Sequence, residues 1–267
     1  MSNFLSKEEI RISKEFEKRG FVIADVNDLK LLKKIRHYFL KSLKKRTKIN
    51  TSYILDHEIL NNVHKNIKTK NLNSLRLKII NDVNNEKNLR KNYYKLSKKY
   101  LDILVGNELA MQLRVNLSIQ FPNDRSSLLP LHSDVWSGDS PYETVVWIPL
   151  VDCYKTKSMY ILPPQKFKKL KNYLIKKKSS SSVNEIFNQI KKDLVWVNIK
   201  FGQILIFNQC LPHGNIVNRE KETRWSLNCR FKSIFSPYKD KKIGEFFEPI
   251  TMRKISQLGN KYRYPKF

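Results

Sequence analysis

No stretch of this 267-residue chain approaches the ~18 consecutive apolar residues that a membrane-spanning helix needs. The opening segment, MSNFLSKEEIRISKEF, lacks the apolar region of a secretory signal. Cysteine is nearly absent: Cys153, Cys210 and Cys229 are scattered and form no CxxC pair. Three lone thiols exclude a disulfide framework and fit a reducing, cytoplasmic setting. Acidic residues are few, 24 against 52 basic ones, which leaves a net charge of +28. Such a balance favours anionic partners in general. However, 39 Lys, 25 Asn and 25 Ile against 2 Ala are what an AT-rich coding sequence produces. Lysine is also spread end to end rather than gathered with arginine and aromatics, which disfavours nucleic acid as a partner. With 40% hydrophobic residues, 14 Phe, 12 Tyr and 4 Trp, the chain is not disordered.

Residues 1–105 read as a helical support region. Leu32, Ile35, Phe39 and Leu43 form one stripe, as do Leu72, Leu75, Ile79 and Val83, and Leu89, Tyr93, Leu96, Tyr100 and Ile103. A short strand over Gly20–Val26 precedes an N-cap at Asn27 or Asp28. His37, His57 and His64 have no partners at ligand spacing and read as surface or helix-face residues.

The pattern changes at Gly106. From Met111 to Phe121 apolar and polar residues alternate, which predicts one strand with Arg114, Asn116, Ser118 and Gln120 on one face. Further strands are predicted at Glu143–Val151 and Met159–Leu162. Val195–Ile199 and Gln203–Phe207 are expected to form a hairpin around Lys200-Phe201-Gly202, and Trp225–Phe235 to be the final strand. Many short strands separated by turns suggest a closed or sandwiched antiparallel sheet. The fold class is therefore mainly β with a helical N-terminal region (α+β), in one domain spanning 1–267. Its parts are the helices of 1–105, a sheet core at 106–238 and a tail at 239–267. A helical insertion at 165–192, split by KKKSSSS, is a candidate lid, with a solvated charged face as the favoured reading.

His132 and Asp134 sit two residues apart at the end of an apolar run; on a strand, residues at i and i+2 point to one face. His213 follows 79 residues later, directly after an apolar strand, and Arg224 follows it by 11. Two imidazoles and one carboxylate can cap one face of an ion and leave its other positions open, the facial arrangement of non-haem Fe(II) oxygenases. Ser226 lies at i+2 from Arg224; a buried arginine beside a hydroxyl suits a carboxylate ligand. Asn116 and Gln120, on the polar face of a core strand, and Trp136 and Tyr142, after the first two ligands, are candidate substrate contacts. Arg230 is read either as an anion contact or as a partner for nearby carboxylates.

The order HxD, a strand with a central Trp, GxILIF, His-Gly and then Arg resembles the Fe(II)/2-oxoglutarate-dependent oxygenases, in particular their phytanoyl-CoA hydroxylase-like branch. The run HSDVWSGDSPYE followed by VVWIPL is similar to the sugar-modifying oxygenases of aminoglycoside and surface-polysaccharide gene clusters. The resemblance implies a double-stranded β-helix (jelly-roll, cupin-like) core flanked by helices, with Fe(II) held by His132, Asp134 and His213. It further implies 2-oxoglutarate as cosubstrate, held by Arg224 and Ser226 beside Trp147 and Asn215, and O2 as co-reactant. The implied activity is hydroxylation of a small polar metabolite, a sugar or sugar-derived compound, nucleotide-linked sugars included; retention of Asp134 argues against halogenation. Two other readings stay open: a catalytically silent jelly roll binding an anionic polymer, and an oxygenase acting on an acyl-CoA or carrier-linked thioester. The sequence sets no oligomeric state.

Overall fold

The apolar stripes of the first hundred residues become one face of a helical layer. In the computed structural model, which describes residues 4–47, 49, 54–176 and 182–265, α1 spans Lys7–Arg19. Ser6 caps it by accepting from the Glu9 amide, while the Glu9 carboxylate accepts from the Ser6 amide. The strand β1 (Phe21–Asp25) leads to Asp28, which caps α2 (Leu29–Arg46) by accepting from Leu31. Then come α3 (Asp56–Asn62), α4 (Leu72–Asn84) and α5 (Leu89–Leu104). Leu32, Ile35, Phe39, Leu43, Leu75, Ile79, Val83, Leu89, Tyr93 and Leu96 all enter one buried cluster with the sheet. Tyr100 and Ile103 are only partly buried, and Leu101 fills the last core position of α5 instead.

The helices cover a seven-stranded sheet in the order β1-β7-β4-β9-β2-β10, with β3 also pairing β9. Its further strands are β2 (Leu109–Gln112), β3 (Asn116–Gln120), β4 (Thr144–Pro149), β7 (Gln203–Asn208), β9 (Arg224–Ser233) and β10 (Phe247–Thr251). A smaller sheet, β6-β5-β8, holds β5 (Tyr160–Ile161), β6 (Val195–Trp196) and β8 (His213–Gly214). All pairings in both are antiparallel. Hydrogen bonds tie helices to sheet: Trp225 Nε1 donates to the Leu60 carbonyl (2.9 Å), the Tyr93 hydroxyl to the Val146 carbonyl (2.8 Å) and Arg90 Nε to the Gln112 carbonyl (3.1 Å).

Several expectations need correcting. Met111–Phe121 is two strands, because Met111 pairs Phe231 while Asn116 pairs Asn228, so five steps on one side oppose three on the other. The Asn84 side chain stabilises the interruption, accepting from the Val115 amide (2.9 Å) and donating to its carbonyl (3.0 Å). An amide side chain thus stands in for a missing strand. Val195–Ile199 and Gln203–Phe207 are not a hairpin: β6 pairs β5 in the small sheet, whereas β7 lies between β1 and β4. The chain switches sheets there, and Ile199 bridges Cys153. Nor is Trp225–Phe235 the final strand. β10 in the tail pairs β2, held also by Arg90 binding Glu248, and α8 (Lys254–Lys261) follows.

The insertion forms α6 (Pro164–Lys176) and α7 (Val183–Ile190); residues 177–181 of its linker lie outside the described residues. Leu170 and Ile190 pack with Leu131, Tyr160 and Leu162 in a separate apolar cluster on the small sheet. Among the described residues no helix is long and apolar enough to cross a membrane.

Ile35 of α2 is fully buried in the cluster that joins the helices to the sheet. Ile35→Ala is expected to cost about 2–5 kcal/mol of stability, from lost transfer energy plus the cavity left behind. Urea unfolding monitored by circular dichroism measures it; a loss below about 1 kcal/mol would contradict the tight packing described.

Candidate metal centre

A cavity of about 430 Å3 lies between the two sheets. Its walls come from β3, β4, β7 and β9 of the large sheet, from β8 of the small one, from α4, and from the 126–134 segment. On β9 Arg224, Ser226, Asn228 and Arg230 alternate with Trp225, Leu227, Cys229 and Phe231; the latter set belongs to the core beneath the helices.

His132 and His213 face each other as a two-residue antiparallel bridge, each amide donating to the other's carbonyl (3.0 and 2.8 Å). Their rings lie 4.3 Å apart, centroid to centroid. Gly214 permits this approach, since a Cβ there would sit 2.8 Å from the Leu129 carbonyl and 2.7 Å from the Tyr160 hydroxyl. Asp134 departs from the expected strand: it opens a short 3-10 turn, Asp134–Ser137. Its amide donates to the Gln209 carbonyl, and the Ser133 hydroxyl contacts the carbonyls of Gln209 (3.1 Å) and Cys210 (3.0 Å). The turn ends at Gly138 (φ +90), in a left-handed conformation that suits glycine. The two side chains converge all the same.

Each imidazole is oriented from behind. Nδ1–H of His132 donates to the Pro130 carbonyl and that of His213 to the Leu211 carbonyl, both at 2.8 Å, which leaves each Nε2 free to ligate. The two Nε2 atoms lie 3.6 and 3.9 Å from Asp134 Oδ1, and the three candidate ligand atoms all fall within 4.8 Å of one another. Metal bonds near 2.1 Å put adjacent ligands roughly 3 Å apart, so a slight contraction would seat an ion. The donor set therefore fits a divalent transition metal.

The other oxygen of Asp134 accepts from Arg230 Nη2 at 3.0 Å. Arg230 Nε also donates to Gln209 Oε1 (3.1 Å) and lies 3.4 Å from Asp139, whose two oxygens accept from Lys241 at 2.6 Å. Of the two readings of Arg230, the structure realises the pairing with carboxylates. Burial raises the Asp134 pKa, but the His132 contact and the charges of Arg230, His213 and His132 outweigh it and hold the carboxyl well below its usual range. Burial pushes His213 down to about 4, keeping it neutral. For His132 burial also lowers the value, yet its contacts with Asp134 and the Pro130 carbonyl leave it raised.

Arg224 is buried in the wall. Its Nη1 donates to the Ser158 carbonyl (3.1 Å) and Nη2 to the Ser118 hydroxyl (2.8 Å), while Nε has no hydrogen-bond partner among the described residues. Burial lowers its pKa to about 10. The buried Ser226 hydroxyl and Asn215 Nδ2 likewise lack partners; Asn215 Oδ1 accepts from the Leu129 amide (2.7 Å). A buried guanidinium without a carboxylate, among unused donors, has the chemistry to bind an anion.

Trp147, Asn116 and Asn215 line the cavity, with Asn116 donating to Asn228 at 3.0 Å. Gln120 lies outside the lining, donating to the Ile216 carbonyl. Trp136 and Tyr142, 49% and 58% exposed, lie outside it too, and Arg114 is exposed beside the strand interruption. Among its described residues, the insertion contributes none to the cavity lining. Sequence reasoning passed over Asn228, although its place midway between Ser226 and Arg230 puts it on their face. It also passed over Asn73 and Arg76 of α4, which nothing in the local sequence distinguishes from surface residues.

No family model and no curated protein matches the sequence. Solved structures do match in shape. A non-haem monooxygenase, ThoJ in complex with nickel, is 14% identical over 92% of this chain and 85% of its own, with a TM-score of 0.57. HygX from Streptomyces hygroscopicus, with nickel and 2-oxoglutarate bound, is 13% identical over 86% and 88%, with a TM-score of 0.51. The chain has their fold.

The apo protein is expected to bind one equivalent of Ni(II) or Co(II), with affinity falling by more than ~100-fold in Asp134→Ala and His213→Ala. Because His132 must surrender its proton to ligate, affinity should weaken by up to ~10-fold per pH unit below its raised pKa. Calorimetric titration across pH tests both; metal binding indifferent to either substitution would remove the site.

Proposed function

We propose that this chain is an Fe(II)/2-oxoglutarate-dependent oxygenase that hydroxylates a small polar metabolite, a sugar or sugar-derived compound. We read the two sheets as a double-stranded β-helix in one oxygenase unit, on the phytanoyl-CoA hydroxylase-like branch. One observation supports this above the others: the His132, Asp134 and His213 ligand atoms share a cavity with a buried arginine that has no carboxylate of its own.

In this reading His132, Asp134 and His213 would hold Fe(II). With 2-oxoglutarate and O2 as co-reactants, the metal would supply the oxidising power to place one oxygen atom into a C–H bond and the other into the succinate formed with CO2. The chain's own residues do the positioning. Arg224, steadied by Ser118 and Ser158, takes the far carboxylate of 2-oxoglutarate, with Ser226 and Asn215 offering further donors. Trp147, Val145, Phe207 and Met159 form an apolar wall that limits water. Arg230 fixes one oxygen of Asp134 and so commits the other to the metal. Asn116 and Asn228 present amides to a hydroxylated substrate. A cavity of about 430 Å3 suits a metabolite better than a polymer.

The expected outcome is metal-dependent conversion of 2-oxoglutarate to succinate, abolished in His132→Ala. Arg224→Lys keeps the charge but loses the fork, and should raise KM for 2-oxoglutarate by roughly 10- to 100-fold. Succinate assays on the three proteins test this; turnover untouched by both substitutions would end the reading.

A further inference from the structure

The cavity holds more positive charge than the chemistry proposed above uses. Three arginines, Arg76, Arg224 and Arg230, line it against a single carboxylate, Asp134. Arg230 is matched by Asp134 and Asp139. Arg224 is accounted for by the far carboxylate of 2-oxoglutarate. Arg76 is left over. Its guanidinium donates to Asn73 Oδ1 at 2.7 Å and makes one long contact, 3.5 Å, to the Leu117 carbonyl. No carboxylate pairs with it among the described residues; Arg114, Arg125, Arg219 and Arg253 lack one too, but none of them lines the cavity.

The placement of Arg76 is as informative as its lack of a counter-ion. It is half-buried on α4 and lines the same cavity as His132, Asp134 and His213, at the side where Asn73 is exposed. Asn73 stands three residues earlier, hence on the same helix face, and its short bond fixes the plane of the guanidinium. Partial burial strengthens any ion pair formed there, and the planar fork offers parallel donors to two oxygens of one anion. Beside it, Asn116 and Asn228 contribute amide groups, while the Ser126 and Ser127 hydroxyls donate to Asp124, whose carboxylate lies behind them and outside the lining.

We propose that the substrate carries an anionic group, a carboxylate or a phosphate ester, and that Arg76, oriented by Asn73, binds it. The proposal rests on the oxygenase reading insofar as it takes this cavity as the substrate site. It narrows the substrate class from polar metabolites in general to acidic ones, such as a uronic acid or a sugar phosphate.

The test uses the full chain loaded with Ni(II) and with 2-oxoglutarate present, so that Arg224 is occupied. The protein is labelled with 15N-arginine, and the Arg76 Nε–H signal is identified by its loss in Arg76→Gln. Glucose 6-phosphate, glucuronate, inorganic phosphate and glucose are titrated in at physiological salt. The Arg76 signal should move with at least one of the anions and not with glucose. Calorimetry should show that anion binding weaker by at least about tenfold in Arg76→Gln. Preference for glucose 6-phosphate over glucuronate identifies a phosphate ester, and the reverse a carboxylate. An unmoved signal with all three anions, a response to glucose as strong as to the anions, or equal affinity in Arg76→Gln would each overturn the proposal. Binding of 2-oxoglutarate is followed in the same samples. Its failure would count against the oxygenase reading, while the response of Arg76 to anions is read separately.

Discussion

One strand, buried on both faces, sets the conditions for the rest of the molecule. β9 turns Trp225, Leu227, Cys229 and Phe231 to the helices and Arg224, Asn228 and Arg230 to the cavity, with Ser226 buried on that same face outside the lining. The apolar face needs a cover, and α3 and α5 supply it, through the Leu60 carbonyl on Trp225 and the Tyr93 and Tyr94 rings on Phe231; the polar face needs either partners or a ligand space. Both demands shape its neighbours. β4 places Trp147 opposite Asn228 and Val145 opposite Arg230, keeping the cavity wall apolar between polar side chains. β3 brings Ser118 opposite Ser226, from where its hydroxyl reaches Arg224.

The metal site hangs on the junction between the sheets. The bridge between His132 and His213 fixes their separation through backbone hydrogen bonds, which hold position more tightly than side-chain contacts alone. Asp134 reaches the same point from a turn, and its orientation is governed by charge. Arg230 takes one oxygen, Asp139 and Gln209 steady Arg230, and Lys241 from the tail steadies Asp139. The C-terminal segment thus belongs to the support of the centre as well as to the sheet edge.

Much of this was legible because period and spacing are local properties. The stripes on α2, α4 and α5 and the alternation along β9 follow directly from them. The convergence of His132, Asp134 and His213 was legible from residue type and order, although the strand geometry invoked for Asp134 gave way to a turn. What was not legible depends on partners distant in sequence. Asn84 splitting Met111–Phe121 cannot be seen without knowing that α4 ends beside β2 and β3. The sheet switch between β6 and β7 looks locally like a hairpin, since a glycine turn between two apolar runs serves either purpose. Trp136 and Tyr142 follow the ligands in sequence, but the turn that delivers Asp134 carries the chain outward, leaving both exposed.

The excess of lysine and the cavity's arginines have different physical meanings. Of 39 lysines none lines the cavity among the described residues, whereas three of the 13 arginines do. A lysine ammonium is a strongly hydrated point charge that stays at the surface at little cost, so a compositional drift toward lysine can accumulate there. A guanidinium is easier to desolvate and presents a fixed fork, so it is the cation a half-dry cavity can hold. Holding Arg224 there without a counter-ion still costs stability, visible in its depressed pKa. An anion bound at Arg224 would offset that cost, which would couple ligand occupancy to the stability of the sheet junction. The alternation of β9, which buries Arg224 in the cavity wall above an apolar core, is what would make the two depend on each other.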